Sequence, residues 1–339
     1  MYSFKCDYSE GAHPRILDAL FKTNLEQWDG YGEDIYCSRA AALIKENIGR
    51  DDIDVHFLVG GTQTNFTAIS AFLRPHEAVI SAATGHICVH ETGAIEATGH
   101  KILTKSSADG KLTAELIQEV LDEHEDEHMA KPKLVYLSDS TEIGSIYLKS
   151  ELEAISSICR KNQLYLYMDG ARLGSALTSA ENDLTLSSIA ALVDAFYIGG
   201  TKNGALMGEA LIICKEELKT DFRYHMKQKG GLLAKGRVLG IQFEALFQDD
   251  LYFKLAEHSN KMADILRKGI LEQGYSFLTH SPSNQIFPIL PNRLIEELEQ
   301  KYAFYRWKPI DSFHSAIRLV TSWATEDNFV YQFLEDLKA

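Results

Sequence analysis

The chain has little proline, few cysteines, no long apolar run and no surplus of positive charge. Its 339 residues include 7 Pro and 5 Cys against 23 Gly, and no stretch approaches the roughly 20 apolar residues needed to cross a bilayer. A composition 45% hydrophobic and 24% charged describes a globular protein with a sizeable core, not a disordered or fibrous chain. The formal net charge of −14 argues against a nucleic-acid backbone or an anionic membrane as partner, since both would repel it. An anionic ligand must therefore be held by a local arrangement of Arg, Lys and backbone N–H groups. Cys6, Cys37, Cys88, Cys159 and Cys214 are scattered and lack C-x-x-C spacing, which suggests neither a disulfide framework nor a zinc site. A reduced, cytoplasmic setting is expected. The opening MYSFKCDYSEGAHPR has no basic segment followed by an apolar run, so no signal peptide is expected.

From about Asp54 to Cys214, short β-branched or aromatic runs alternate with longer amphipathic ones. DVHFLV (54–59), AVISA (78–82), HKILTK (100–105), KLVYLSD, LYLYMD, DAFYIGG and EALIICK read as strands. TQTNFTAISAFL (62–73), KLTAELIQEVLDEHEDE, KSELEAISSICRKNQ and LSSIAALV read as helices. Alternation of this length predicts an α/β fold with a mostly parallel sheet between helices, and ligands of such sheets bind beyond the carboxyl ends of the strands. After about residue 245 the pattern changes to a long helix, short strands around QIFPIL and AIRLVTSW, and a closing helix. The expected division is a large domain over 1–245 and a small α+β domain over 246–339.

Three loops at strand ends carry candidate chemistry. Lys202 follows the apolar strand DAFYIGG within Gly199-Gly200-Thr201-Lys202-Asn203-Gly204. Glycines there let a planar ligand approach the backbone, and desolvation would favour the free amine that a Schiff base requires. Alone, it also reads as a solvated loop lysine. Asp169 ends LYLYM and precedes Gly170-Ala171-Arg172. A carboxylate on a pyridinium nitrogen keeps a pyridoxal 5'-phosphate (PLP) ring an electron sink, which suits Asp169, although an N-cap or turn Asp is as natural a reading. Arg172 beside it offers a fork to a substrate carboxylate or an ordinary ion pair. Gly60-Gly61-Thr62-Gln63-Thr64-Asn65 joins a strand to a helix and offers N–H groups and hydroxyls to a phosphate, without the Walker lysine or the full dinucleotide fingerprint. His86, with His90 and Glu91 one turn on, suits a ring that stacks on a cofactor or carries a proton. A metal cluster there lacks a matched third ligand, and none is expected.

Together, CDYSEGAHP, YGED (31–34), GGTQTN, GHICVHETG, STEIGSIY (140–147), YMDGAR, GGTKNG and IRLVTSWAT (317–325) resemble the threonine aldolase/β-eliminating lyase family of fold-type-I PLP enzymes, most closely its low-specificity and phenylserine aldolase branch. The resemblance spans nearly the whole chain. It implies Lys202 as the Schiff-base lysine, Asp169 as the partner of the pyridine nitrogen and His86 as the stacking ring. It further implies Gly61, Thr62 and Thr201 at the phosphate, and Arg172 and Arg318 on the substrate carboxylate. Tyr31 matches a tyrosine lining the site, in some members from the adjoining subunit, and Lys235, with Arg237, is expected to reach a neighbour's phosphate. Two positions depart from the family. Cys6 stands where a carboxylate-binding Ser is common, and Glu142 stands where a Thr-His pair would place a catalytic His, so Glu142, His86 or His90 is left as proton carrier.

The resemblance implies cleavage of a β-hydroxy-α-amino acid of the threonine, allo-threonine or phenylserine type to glycine and an aldehyde. It also implies a homodimer or homotetramer with sites at subunit interfaces. A β-eliminating lyase or aminotransferase would use the same Lys202 and Asp169 with a different bond presented. A PLP-free scaffold has no need of Lys202, Asp169 and Arg318 together.

Overall fold

The computed structural model describes residues 1–338. After a short strand β1 (Tyr2–Ser3), the chain lays down β2 (Asp54–Leu58), β3 (Glu77–Ala82), β4 (Ile102–Lys105), β5 (Lys131–Ser138), β6 (Tyr165–Asp169), β7 (Ala195–Gly199) and β8 (Glu209–Ile213). These last seven form one sheet in the order β2-β8-β7-β6-β5-β3-β4. All its pairings are parallel except those of β8, which runs antiparallel to both β2 and β7. The expected mostly parallel α/β sheet is what forms.

Both faces of this sheet are covered, which is why its strands read as continuous apolar runs. On β5, Leu134 and Tyr136 face one buried cluster while Val135 and Leu137 face another, and β7 divides Ala195 and Tyr197 from Phe196 and Ile198 in the same way. The period-2 alternation therefore sends Tyr136, Tyr167 and Tyr197 to a single face. That face also carries Asp169, two residues on from Tyr167.

Strand ends matched the sequence reading closely, and helix ends less so. The stretch 111–127 forms a helix only over Ala114–Asp122, started by the Thr113 cap. The helices Pro14–Lys22, Ile35–Ile48 and Arg237–Phe247 were not legible as elements; the first carries Pro at its N1 position and the second is capped by Asp34.

The C-terminal part builds a second sheet from β9 (Ser276–Phe277), β10 (Gln285–Ile286), β11 (Pro288–Pro291), β13 (Tyr305–Pro309) and β14 (His314–Val320), while β12 (Tyr302–Ala303) pairs with β1. Helix Leu251–Glu272 joins the two parts, placing Leu251, Tyr252 and Leu255 in the first core and Met262, Ala263, Leu266 and Ile270 in the second. The expected boundary at 245 falls inside helix Arg237–Phe247. The N-terminal arm, assigned from sequence to the large domain, packs instead with the C-terminal part. Tyr2 and Ser3 pair in parallel with Tyr302 and Ala303 in a two-stranded sheet of their own, and this pairing carries Phe4 into the second core.

The turn after β6 is unusually tight. A Cβ added to Gly170 would collide with the Tyr197 carbonyl oxygen, so only glycine lets the Asp169 loop lie against β7. Gly170→Ala should cost about 1–3 kcal/mol or more in urea unfolding. Gly11→Ala, with nothing within 4 Å of its added Cβ, should change stability by less than about 0.5 kcal/mol. Equal unfolding midpoints for the two variants would show that the close approach constrains nothing.

Candidate active site

The carboxyl ends of β2, β3, β5, β6 and β7 converge on a cavity of about 290 Å³. Its walls include Gly61, Thr62, His86, Glu142, Asp169, Arg172, Thr201 and Lys202. A second cavity of about 560 Å³ adjoins it, sharing Tyr8, His86, Glu142, Arg172 and Lys202 and adding His90, Gln285, Tyr305, Trp307 and Arg318. Eight of the residues singled out from sequence thus meet in one cavity, and His90 and Arg318 join them in the next.

Burial and the neighbouring Arg172 guanidinium lower the pKa of Lys202, opposed by the carboxylates of Asp7, Asp169 and Glu209. That direction favours the neutral, nucleophilic amine. Asp169 is buried, which alone would raise its pKa, yet it is held below the usual range. The charge of His86 and hydrogen bonds from Tyr136, Tyr197 and Asn65 outweigh desolvation. The Tyr136 hydroxyl donates to Oδ2 at 2.6 Å and Asn65 Nδ2 to the same oxygen at 2.9 Å. Oδ1 accepts from the Tyr197 hydroxyl and from the Ala171 N–H at 3.0 Å. An ionised carboxylate is what a pyridinium N–H requires.

Asn65 also extends the network to His86. Its Nδ2 donates to Glu91 Oε1 at 2.7 Å, and the same oxygen lies 2.8 Å from His86 Nδ1. A buried carboxylate on Nδ1 fixes that nitrogen as a donor and leaves Nε2 free. Glu142 accepts from the His86 backbone N–H at 2.8 Å and from Ser138 Oγ at 2.7 Å, and burial raises its pKa. His90 lies with its ring centroid 5.5 Å from that of His86; burial, then the charges of His86, Arg318 and Lys202, lower its pKa.

The phosphate-type cradle is formed by the Gly60–Thr62 turn and the 12-residue helix Gly61–Phe72, whose first turn has no side-chain cap. A Cβ on Gly61 would stand 2.9 Å from the Tyr197 hydroxyl, so the open space there depends on glycine. Thr201 Oγ1 accepts from the Gly208 N–H at 3.0 Å. Ser140 Oγ is buried in the cavity wall with no hydrogen-bond partner. A lowered lysine, an ionised aspartate, an uncapped helix start and an orphaned hydroxyl are a donor set that fits PLP.

The second cavity is cationic at its base. Arg172 Nε and Nη2 grip Asp7 Oδ2 and Oδ1 at 2.7 and 3.0 Å, and Asn284 Nδ2 adds a bond to Asp7 at 3.0 Å. The two-pronged edge of Arg172, expected on a substrate carboxylate, is thus engaged by Asp7. A buried guanidinium requires a partner of its own, and the N-terminal arm supplies it. Arg318 lies over the rings of Tyr305 and Trp307, 5.0 and 5.2 Å from their centroids, and its Nε is buried without a partner. Burial and Arg172 lower its pKa. This is the better-prepared hand for an incoming carboxylate.

Four expected residues do not line these cavities, Arg237 among them, whose Nη1 and Nη2 donate to the Glu26 and Asn24 carbonyls at 2.7 and 3.1 Å. Cys6 Sγ sits 3.1 Å from Ser9 Oγ, and Tyr8 occupies the wall in its place. Within one chain Tyr31 lines a separate cavity of about 180 Å³ with Cys37, His56 and Arg223, and Lys235 is exposed. Sequence reasoning missed Tyr8, Ser140, Glu209, Tyr305 and Trp307. The sign available for Glu209 was a charge opening the otherwise apolar strand EALII; Tyr305 and Trp307 alternate in YRWK.

The beta-eliminating lyase family model matches residues 5–290. The chain is 34% identical over 343 residues to a low specificity L-threonine aldolase of a Pseudomonas species, an alignment covering 99% of this chain and 97% of that protein. The solved structure of Leishmania major threonine aldolase is 53% identical, covers 100% of this chain and 99% of its own, and superposes with a TM-score of 0.99. A Thermus thermophilus aspartate aminotransferase shares the fold at 16% identity, with 100% and 91% coverage and a TM-score of 0.74. The chain belongs to the beta-eliminating lyase family and has the fold-type-I architecture of PLP enzymes.

Burial alone would raise the pKa of Asp7, but Arg172, Lys202 and the hydrogen bonds hold it low. An acid depressed in the folded state stabilises above its unfolded value, about 3.9, and that contribution is lost as pH falls through the folded value. Asp7→Asn should therefore cost about 3–5 kcal/mol near neutrality by stranding Arg172. In denaturation series, the gap to the parent should hold from pH 7 to 5 and narrow below about 4. A gap that widens in acid would contradict the ion pair.

Proposed function

We propose that this protein is a PLP-dependent aldolase that cleaves β-hydroxy-α-amino acids of the threonine, allo-threonine or phenylserine type to glycine and an aldehyde. The observation that carries the reading is the juxtaposition of Lys202 and a buried, ionised Asp169 in one cavity that opens onto the partnerless Nε of Arg318. The names of the Pseudomonas and Leishmania proteins agree with it.

In this reading Lys202 holds the cofactor, Asp169 meets its ring nitrogen, His86 lies against the ring, and Gly61, Thr62 and Thr201 receive the phosphate. When bound, PLP supplies the electron sink that lets a bond at the α-carbon break. Arg318, steadied by two aromatic rings, takes the substrate carboxylate, with Arg172 contributing the nitrogen that Asp7 leaves free. Fixing the carboxylate and amine leaves rotation about one axis, so this anchor decides which α-carbon bond is presented. His86 Nε2, oriented through Glu91, and the Glu142 carboxyl are the groups placed to hold the β-hydroxyl proton. His90 lines the wall on the side away from Asp169 and adds polarity there.

The division near residue 245 into a cofactor-binding unit and a smaller C-terminal unit belongs to this reading. So do a cytoplasmic setting, supported by five free cysteines, and a homodimer or homotetramer. Leu17, Phe21, Leu25 and Trp28 expose 47, 82, 91 and 50% of their surface, an apolar strip suited to a second copy. Across such an interface Tyr31 and Lys235 would serve the neighbouring site, and Cys6 would act only through Tyr8 beside it.

Purified protein with PLP is expected to release glycine and an equal amount of aldehyde from threonine, allo-threonine or phenylserine. Lys202→Ala should lose the near-visible absorbance, and His86→Asn should lower kcat about 10²–10⁴-fold. Pyruvate and ammonia as products, or no aldehyde from any of the three, would replace the aldolase reading with another lyase chemistry.

A further inference from the structure

One buried acid in the cavity has no part in the chemistry described so far. Because β8 runs antiparallel, its first residue, Glu209, stands at the same sheet edge where β2 and β7 end. It is in register with Leu58 on one side and Gly199 on the other. Two residues beyond Leu58 and Gly199 lie Gly60 and Thr201, so the Glu209 side chain rises between the two loops proposed for the phosphate. It lines the cavity with Gly60, Gly61, Thr62, Thr201 and Lys202. Its Oε2 accepts from the Gly200 N–H at 3.1 Å, and Thr201 also bonds the carboxyl. The residue is buried, at 4% exposure.

An ionised carboxylate in that position would repel a dianionic phosphate at short range. A neutral carboxyl there would do the opposite, since it has an O–H to donate. We infer that Glu209 is a cofactor-contacting residue that works as a neutral acid, donating its proton to a phosphate oxygen and so making retention of the cofactor dependent on pH. The inference rests on the PLP reading above. The groups that face Glu209 are consistent with it. Burial pushes its carboxyl up to about 8, Asp169 pushes in the same direction, and Lys202, Thr201 and the Gly200 N–H oppose them. The phenols of Tyr197, Tyr167 and Tyr252 also feel its charge, and burial raises all three, so they stay protonated around it. When Lys202 holds the cofactor, its amine is no longer available as an ammonium to offset a carboxylate. The proton on Glu209 then matters more.

Glu209→Gln keeps a donor of the same shape and removes the titration. The probe is pyridoxamine 5'-phosphate, which carries the phosphate but cannot bond covalently to Lys202, with pyridoxamine as the phosphate-free control. Parent and Glu209→Gln should bind the probe with similar Kd at pH 6–7. Above about pH 8 the parent should weaken relative to the variant by about tenfold per pH unit, the limit for one linked proton. Pyridoxamine should show no such divergence, and repeating the titration in a Lys202→Ala background should preserve it. Glu209→Ala should weaken the phosphate probe alone. Identical pH profiles for parent and Glu209→Gln overturn the inference. So does a Glu209→Gln protein that binds the probe poorly at every pH with a lowered Tm, which would make Glu209 a structural acceptor for Gly200. If the parent takes up neither PLP nor the probe at any pH, the cofactor reading itself fails, and this inference fails with it.

Discussion

The buried carboxylate of Asp169 organises the large sheet. A carboxylate out of water is tolerated only when its lone pairs are filled, and here the donors come from separate elements: Tyr136 on β5, Tyr197 on β7, Asn65 on the helix after β2, and the Ala171 N–H of its own turn. Meeting that demand fixes how these elements stand relative to one another at the edge of the sheet where the cavity opens. Asn65 carries the constraint onward, since the amide that serves Asp169 also serves Glu91, which orients His86. Placement of the His86 ring and of the Asp169 carboxylate is therefore one problem with one solution. Partial satisfaction of such a network would be worse than none, because each unpaired member sits in low dielectric.

A second buried carboxylate, Asp7 in its ion pair with Arg172, does the same work at the boundary between the two parts of the chain. Arg172 leaves the turn after β6, Asp7 comes from the N-terminal arm, and Asn284 reaches Asp7 from the segment leading into β10. Three stretches far apart in sequence thus meet at one carboxylate beside the larger cavity. Arg318, on β14, faces that cavity from the C-terminal sheet, propped by aromatic rings from the adjacent β13. The end of the cavity that carries Arg172 and Arg318 is consequently assembled between the two cores, and the end that carries Asp169 and Lys202 is built within one of them.

This division explains what could be read from the amino-acid sequence. The seven strands from Asp54 to Ile213 and the loops after them were legible because strands buried on both faces leave apolar runs, while Lys202, Asp169, His86, Gly61 and Thr62 were singled out within those loops chiefly through the family resemblance. What depended on tertiary partners was not. The engagement of Arg172 by Asp7 joins residues 165 positions apart, with no local sign that one is reserved for the other. The charge that opens EALII was passed over because a charged residue at the start of a strand reads as a solvated end, and only the antiparallel direction of β8 carries Glu209 into the cavity. The pairing of Tyr2 and Ser3 with β12, and the burial of Phe4 in the second core, were hidden for the same reason, since nothing in so short a segment names the strand it will join.

That N-terminal arm has a consequence for how the chain reaches its native state. Phe4 donates its N–H to the Ala303 carbonyl and accepts from the Val320 N–H, and Lys5 offers its carbonyl to Arg318. Phe4 and Lys5 can therefore settle only once partners some three hundred residues later in the chain are present. A chain cut short before β14 would retain the strands that carry Lys202 and Asp169 but lack Arg318 and the Val320 partner of Phe4 on that side of the cavity.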